Sequence, residues 1–234
     1  MLKTVLKTSL TRRRIIHGVV FDMDGTLITS AIDFSEMRRR AGLSPSDADI
    51  LTALQRLDPK AKVAAMRAVH EVELEALTKM VLKEGVVEIC QELDNFGIPR
   101  ALLTRNMKES VDHFHVHQFR LPPFYPALCR ETFPEHKPSP EPLRHIAALW
   151  GVDAAELAMV GDSPRDDVVA GNRAGAVTVL LRDPDTEWRP LDPEQTPHFT
   201  VSGLTEALEV LRRECVLVPP RERKGSAQCS LAGA

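Results

Sequence analysis

Residues 17–30, HGVVFDMDGTLITS, decide the fold of this chain. An apolar, β-branched run that ends at Phe21 predicts a buried strand, and it delivers two acids, Asp22 and Asp24, just before Gly25. Because side chains alternate along an extended chain, both acids are expected to face one crevice, with the intervening methionine turned away. A solvated Asp-Gly turn would explain Asp24 and Gly25, but not the buried approach to Asp22.

Two further predicted strands also end on polar residues. The run LAMV leads into Asp162, and the run IPRALLT ends on Thr104, which Arg105 and Asn106 follow. Lys137 lies in HKPSPEPL, just before a predicted helix. Open α/β sheets bind ligands in the crevice beyond the carboxyl ends of their strands, so these groups are expected to meet there.

Four motifs in this order, DxDGT, a strand-end threonine, a lysine before a helix, and GDxxxD, resemble those of the haloacid dehalogenase-like superfamily. The likeness is greatest to its small-molecule phosphatases of the phosphoglycolate phosphatase type, and it covers roughly residues 15–203. It implies an α/β fold with a doubly wound, Rossmann-like parallel sheet and a small α-helical cap inserted after the first motif. The alternation of strand and helix signals along the chain also predicts the doubly wound core.

Residues 31–84 interrupt this alternation. They contain no convincing strand and three helical signals, at residues 33–41, 46–57 and 60–83. We therefore predict an inserted helical cap over residues 31–84. In the family that the chain resembles, such a cap closes over the active site, where it excludes water and selects the substrate.

The α/β core is then predicted over residues 15–30 and 85–213. Residues 1–14 carry several basic residues and no acid, which fits either a solvated basic arm or an organellar leader for a mitochondrion or chloroplast. Residues 219–234 have no apolar period, so we expect a disordered tail there.

The chemistry expected at the crevice requires positive charge. A phosphate monoester is an anion, so a carboxylate can attack it only where cations neutralise both partners. Mg²⁺ meets this need with a few carboxylates, water and phosphate oxygens, and Asp22 and Asp162 are the natural carboxylate ligands. The resemblance adds the main-chain carbonyl of Asp24 as a further ligand and implies that Asp22 is the nucleophile that forms an aspartyl phosphate.

The resemblance also implies which residues hold the phosphoryl group of a small phosphorylated metabolite. Lys137 would provide a second positive charge beside the nucleophile. Thr104, the main-chain amide of Arg105, and Asn106 would bind the phosphoryl oxygens. Lys108 is an alternative cation, but the family pattern favours Lys137.

Asp24 has a separate implied role. As a general acid it would protonate the leaving alcohol, and as a base it would then activate water against the phosphoenzyme. The superfamily branch that cleaves carbon–halogen bonds lacks an acid at this position, because a halide needs no proton, so dehalogenation is disfavoured. Two alternatives to a Mg²⁺-dependent phosphatase stay open: a phosphomutase with the same residues, and a non-catalytic binding or regulatory member.

The last motif, GDSPRDD from Gly161, has an ambiguous register. Counting forward from Gly161 places its second acid at Asp166, whereas counting back from the pair Ala170 and Gly171 places it at Asp167. One residue is therefore inserted relative to the family pattern. Both acids fall in the first turn of a predicted helix, where the helix dipole favours negative charge, and we favour Asp166 as the acid that supports the metal ligand.

Composition agrees with a globular enzyme. A chain of 234 residues can bury a substantial core, and a net charge of −3 gives no reason to expect nucleic-acid binding. The apolar runs are strand-sized, well short of the roughly 20 residues that span a bilayer. The four cysteines form no CxxC pair, which predicts neither a zinc site nor a disulfide framework and suits a reducing, cytoplasmic compartment.

Overall fold

The structure is a computed structural model that describes residues 13–29, 32–47, 49–183 and 185–221. Most of the predicted basic arm and of the predicted tail therefore lies outside the described residues. The described strands are β1 (Arg14–Ile16), β2 (Gly18–Phe21), β3 (Ile28–Thr29), β4 (Val81–Leu82), β5 (Arg100–Leu103), β6 (Ala127–Leu128), β7 (Leu157–Gly161), β8 (Val177–Leu181), β9 (Phe199–Val201) and β10 (Cys215–Leu217). The described α-helices are α1 (Phe34–Arg40), α2 (Ile50–Gln55), α3 (Pro59–Leu77), α4 (Val86–Asn95), α5 (Lys108–His113), α6 (Glu141–Trp150), α7 (Val169–Ala174) and α8 (Leu204–Glu214).

Within this part of the chain, six parallel strands form the central sheet, in the order β6–β5–β2–β7–β8–β9. β2 lies between β5 and β7, with Phe21 opposite Leu102 on one side and Val160 on the other. The chain order runs outward from β2 in both directions, which creates a topological switch point at its carboxyl end. This topology confirms the predicted doubly wound α/β fold and places Asp22 at the switch point.

Helices cover both faces of the sheet. Every residue of β2, β5, β7 and β8 is buried. Val19 and Phe21 pack in one apolar cluster with α4 and α8, while Val20 packs in another with α6 and α7. Parallel sheets are normally buried in this way, which explains the continuous apolar runs in the sequence. The strand ends that carry the motifs are therefore firmly held.

The helices α1, α2 and α3 form an insert between β3 and β4, which confirms the helical insertion after the first motif. The carboxylates of Asp33, Asp49 and Asp58 accept hydrogen bonds from main-chain N–H groups in the first turns of these helices. The helices share an apolar cluster of their own, which includes Met37 and Val69. No described helix, α3 included, is long and apolar enough to cross a membrane.

Two short strand pairs differ from the expectations. β3 and β4 pair antiparallel, with Ile28 opposite Leu82, so the expectation of no strand within residues 31–84 is wrong at the end of that segment. β1 pairs in parallel with β10, which the sequence did not predict. These strands have two or three residues each, too few to show the alternation that distinguishes a strand from a loop.

Candidate active site

The first motif leaves β2 in a tight turn that presents Asp22 and Asp24. The N–H of Asp22 donates to the carbonyl of Val160 at 2.9 Å, which ties the turn to β7. Gly25 adopts the left-handed region with φ of +74°, and a Cβ atom there would lie 2.1 Å from Asp162 Oδ2. A glycine is therefore required for the close approach of Asp162 to this turn.

Lys137 contacts Asp22 from the loop that precedes α6. It is 4% exposed, and its ammonium group donates to Asp22 Oδ1 and lies 2.7 Å from Asp167 Oδ1. Lys108, the alternative cation, pairs with Asp112 at 2.5 Å on the surface. The structure thus brings Lys137, and not Lys108, to Asp22.

Three carboxylates converge at the strand ends. One oxygen from each of Asp22, Asp162 and Asp167 lies within 4.8 Å of the other two. Carboxylate oxygens suit a hard divalent cation. Together with Lys137, the three ionised acids would carry two uncompensated negative charges, which a divalent cation would balance. These residues therefore fit the predicted metal.

Asp167 joins this acidic cluster, whereas Asp166, the acid that the sequence analysis favoured, does not. Residues Pro164–Val168 form a π-helical turn, in which the N–H of Val168 donates to Ser163 O at 3.2 Å, five residues back. A π turn encloses one residue more than an α turn, so it accommodates the inserted residue and turns Asp167 toward Lys137.

The main chain holds the Asp167 carboxylate in this position. Asp167 Oδ2 accepts a hydrogen bond from the N–H of Ser163 at 2.9 Å. A Cβ atom at Gly161 would lie 2.1 Å from the same oxygen. A larger residue at this strand end would therefore displace the carboxylate from the cluster.

Burial shifts the pKa values of the cluster. It raises the pKa of Asp22 and of Asp162 to about 6, and that of Asp167 to about 7. The charge of Asp167 raises the Asp162 pKa further, whereas the charge of Lys137 opposes the rise for all three acids. Burial alone would lower the Lys137 pKa, but Asp167 and Asp22 raise it above its ordinary value. The cluster therefore favours the uptake of cations or protons near neutral pH.

Asp24 faces the same crevice and is held by Asn106. Asn106 Nδ2 donates to Asp24 Oδ2 at 2.5 Å, and the Asn106 N–H donates to Thr104 Oγ1 at 3.1 Å. Burial raises the pKa of Asp24, although the bond from Asn106 lowers it. The side-chain amide of Asn106, expected beside the phosphate, thus contacts Asp24.

Two core arginines bind acids of the helical insert across the crevice. Arg105 donates to Asp49 of the insert at 2.6 Å and to Asp166 of the core at 3.2 Å. Arg130 donates to Glu73 of α3 at 2.5 Å and to the carbonyl of Arg105 at 3.0 Å. The sequence did not predict Arg130, Asp49 or Glu73, because each lies 56 or 57 positions from its partner and none of the three belongs to a motif.

The insert and the strand ends enclose a cavity of about 400 Å³. Asp22, Asp24, Lys137 and Asp162 line its core side. The insert contributes an apolar wall that consists of Ile32, Phe34, Met37, Ile50, Leu51 and Val69. A cavity of this size with convergent polar groups suits a small ligand that directs its charged end toward the core.

The sequence profile of the haloacid dehalogenase-like hydrolases matches residues 16–175, which include all four motifs. The chain belongs to this family. This hydrolase is 39% identical over 205 residues to a haloacid dehalogenase-like hydrolase domain-containing protein of Arabidopsis thaliana, covering 83% of this chain and 80% of that protein. It is 28% identical to a phosphoglycolate phosphatase of Neisseria meningitidis, covering 84% of this chain and 94% of the relative.

A solved structure has the same fold as this hydrolase. The crystal structure of a predicted phosphoglycolate phosphatase from Haemophilus somnus superposes with a TM-score of 0.65 at 21% identity. The match covers 83% of this chain and 97% of the other. The profile match confirms the family resemblance inferred from the four motifs.

Proposed function

We propose that this hydrolase is a Mg²⁺-dependent phosphatase that cleaves a small phosphorylated metabolite through an aspartyl phosphate on Asp22. The main support is the buried contact of Asp22 with Lys137, next to two further acids at the carboxyl end of β2. Lys137 orients the attacking carboxylate and provides part of the positive charge that attack on a phosphate requires. The relative named as a phosphoglycolate phosphatase supports a small substrate.

Asp22 and Asp162 are the proposed carboxylate ligands of Mg²⁺, together with the main-chain carbonyl of Asp24, and Asp167 completes the acidic cluster. When bound, Mg²⁺ supplies the charge that compensates the repulsion between phosphate and carboxylates. Thr104 and the main-chain amide of Arg105 are proposed to hold phosphoryl oxygens, with Asn106 beside them.

Asp24 is the proposed proton donor and acceptor. Its raised pKa keeps a protonated form available for the leaving alkoxide, and Asn106 fixes the carboxyl group. In the second step the Asp24 carboxylate takes a proton from water, and the oxygen of that water attacks the phosphorus of the aspartyl phosphate. Inorganic phosphate leaves, and Asp22 is regenerated.

The test is the release of inorganic phosphate from an aryl phosphate ester with Mg²⁺, with excess chelator and with Ca²⁺. We expect turnover with Mg²⁺ and none with chelator. Ca²⁺ should substitute poorly, because its larger and looser coordination misplaces the phosphate. Asp22→Asn should reduce the rate to less than about a hundredth of wild type, since no other residue replaces the nucleophile and losses of about 10²-fold or more are typical.

Asp24→Asn tests the two-step route. An aryl leaving group hardly needs protonation, so the first step should proceed while the attack of water fails. Intact-protein mass should then show a phosphoryl adduct that persists in the variant and is absent in wild type. Full turnover in excess chelator would contradict the proposed metal site.

Two outcomes would favour the alternatives. A folded wild-type protein without turnover in any condition would indicate a binding module. Isomerisation of a sugar phosphate with little release of free phosphate would indicate a phosphomutase.

A further inference from the structure

Glu73 is a buried acid of α3 that the proposed chemistry does not use. It is 5% exposed and lines the cavity together with Asp24 and Asn106. Glu73 Oε1 accepts the bond from Arg130, whereas Oε2 is buried without a hydrogen-bond partner among the described residues. Native proteins pair nearly all buried acceptors, so an unpaired carboxylate oxygen on a side chain that lines a cavity points to a ligand.

Asp49 shows how an acid that joins the insert to the core, and also caps α2, is bonded in this protein. Its Oδ1 accepts from the N–H of Thr52 at 2.8 Å, and its Oδ2 accepts from Arg105 at 2.6 Å, so both oxygens are used. Glu73 makes the corresponding contact to a core arginine with Oε1 alone. The attachment of the insert to the core therefore accounts for the hydrogen bond of Glu73 Oε1, but it gives no role to Oε2.

The position of Glu73 suggests which part of a substrate would reach it. Glu73 lines the cavity together with Asp24, the proposed proton donor to the leaving alcohol. Lys137 and Thr104, the proposed partners of the phosphoryl group, line the same cavity. A carboxylate accepts hydrogen bonds and repels anions, so a ligand group that pairs with Oε2 must be a hydrogen-bond donor.

We propose that Glu73 is a specificity-determining residue whose Oε2 accepts a hydrogen bond from a hydroxyl or ammonium group of the leaving alcohol. This inference rests on the proposed phosphatase function and narrows the substrates to phosphate esters of polyhydroxy or amino alcohols. An analogue without the donor leaves Oε2 unpaired, and sites built for a hydrogen bond reject such analogues strongly. A leaving group that carries a carboxylate would be repelled by the negative charge of Glu73.

The experiment compares four small phosphate esters: glycerol 3-phosphate, ethanolamine phosphate, propyl phosphate and phosphoglycolate. We measure kcat/KM with Mg²⁺ for wild type, for Glu73→Gln and for the matched control Asp49→Asn. Wild type should prefer glycerol 3-phosphate or ethanolamine phosphate to propyl phosphate by about tenfold or more, as expected for a hydrogen bond to a charged group. The preferred ester identifies the donor as a hydroxyl or an ammonium group.

Glu73→Gln keeps the size of the side chain and one oxygen for Arg130, but removes the charge and adds an N–H donor. It should reduce the preference for the favoured ester about tenfold and raise the relative rate on phosphoglycolate. Asp49→Asn weakens the other contact between insert and core, so it should change all four esters by the same factor.

Three outcomes would overturn the inference: equal changes for all esters in Glu73→Gln, a wild-type preference for phosphoglycolate, or no preference over propyl phosphate. If one of these outcomes occurs while wild type hydrolyses the aryl phosphate with Mg²⁺, the phosphatase proposal stands and the proposed role of Glu73 is rejected. If wild type hydrolyses no ester, the phosphatase proposal fails. Dissociation constants of the four esters, measured by calorimetry for the same three proteins, then test Glu73 independently.

Discussion

Lys137 is buried between Asp22 and Asp167, and its removal would leave two carboxylates without their cation. Loss of one partner from a buried ion pair typically costs about 3–5 kcal/mol. We expect Lys137→Gln to lower the free energy of unfolding of the metal-free protein by about that amount at pH 8, where the acids are ionised. Urea unfolding measures this value.

The matched control is Lys108→Gln. It removes an exposed pair with Asp112, and exposed pairs contribute about 1 kcal/mol or less. Losses of equal size in the two variants would contradict a structural role for the buried ammonium group.

The residues at the switch point could be inferred from local patterns. Asp22, Asp24 and Asp162 each follow an apolar strand, and the carboxyl ends of parallel strands meet at one edge of a sheet. The pairing of Lys137 with Asp22 required the family resemblance. Glu73 could not be inferred, because its contact with a core arginine depends on how the insert packs against the core, which no single-sequence pattern encodes.

The π-helical turn Pro164–Val168 determines which acid lies beside Lys137. Asp167 faces Lys137 from this turn, whereas Asp166 pairs with Arg105. Asp167→Asn should therefore weaken Mg²⁺ binding by about 10- to 100-fold, as residues that orient a metal site typically do, and Asp166→Asn should change it little. Titration calorimetry with Mg²⁺ checks both values. A larger loss of Mg²⁺ binding in Asp166→Asn than in Asp167→Asn would identify Asp166 as the second acid of the motif, as the forward count from Gly161 indicated.

The same turn shows what determines whether an element can be predicted. Long buried strands and amphipathic helices such as α8 carry a period that the sequence displays directly. The π turn was visible only as an inserted residue, because its register depends on hydrogen bonds five residues apart. The strands of the pairs β3–β4 and β1–β10 have two or three residues each, which is too short for an apolar–polar alternation to be recognised in the sequence.

The whole molecule should be less stable at high pH when metal is absent. Asp22, Asp162 and Asp167 have pKa values of about 6 to 7 in the folded protein, above the value of about 4 for an unfolded aspartate. The folded state therefore binds more protons between about pH 4 and pH 7. The stability that these acids contribute is present below the unfolded pKa and is lost as the pH rises through the folded pKa.

Three histidines have the opposite effect on the pH dependence of stability. Burial lowers the pKa of His115, His136 and His198, so the folded state binds fewer protons at these sites. The stability that they contribute therefore increases as the pH rises from the folded pKa to the unfolded pKa. A simple comparison of two pH values would mix both effects. The histidines are the same with and without Mg²⁺, so the difference that Mg²⁺ makes at each pH isolates the acidic cluster.

Mg²⁺ should stabilise the protein strongly at pH 8 and weakly at pH 5. At pH 8 the three acids are ionised, and Mg²⁺ at about 100 times its Kd adds about 2.7 kcal/mol, or about 5–10 °C in Tm for a protein of this size. At pH 5 the acids of the cluster must first lose protons, so the same Mg²⁺ concentration lies far closer to the apparent Kd and the Tm shift should be about 1–2 °C. Scanning calorimetry at both pH values, with and without Mg²⁺, measures the two shifts. Equal shifts would mean that the ion binds away from the buried acids, because exposed carboxylates with ordinary pKa values stay ionised at pH 5.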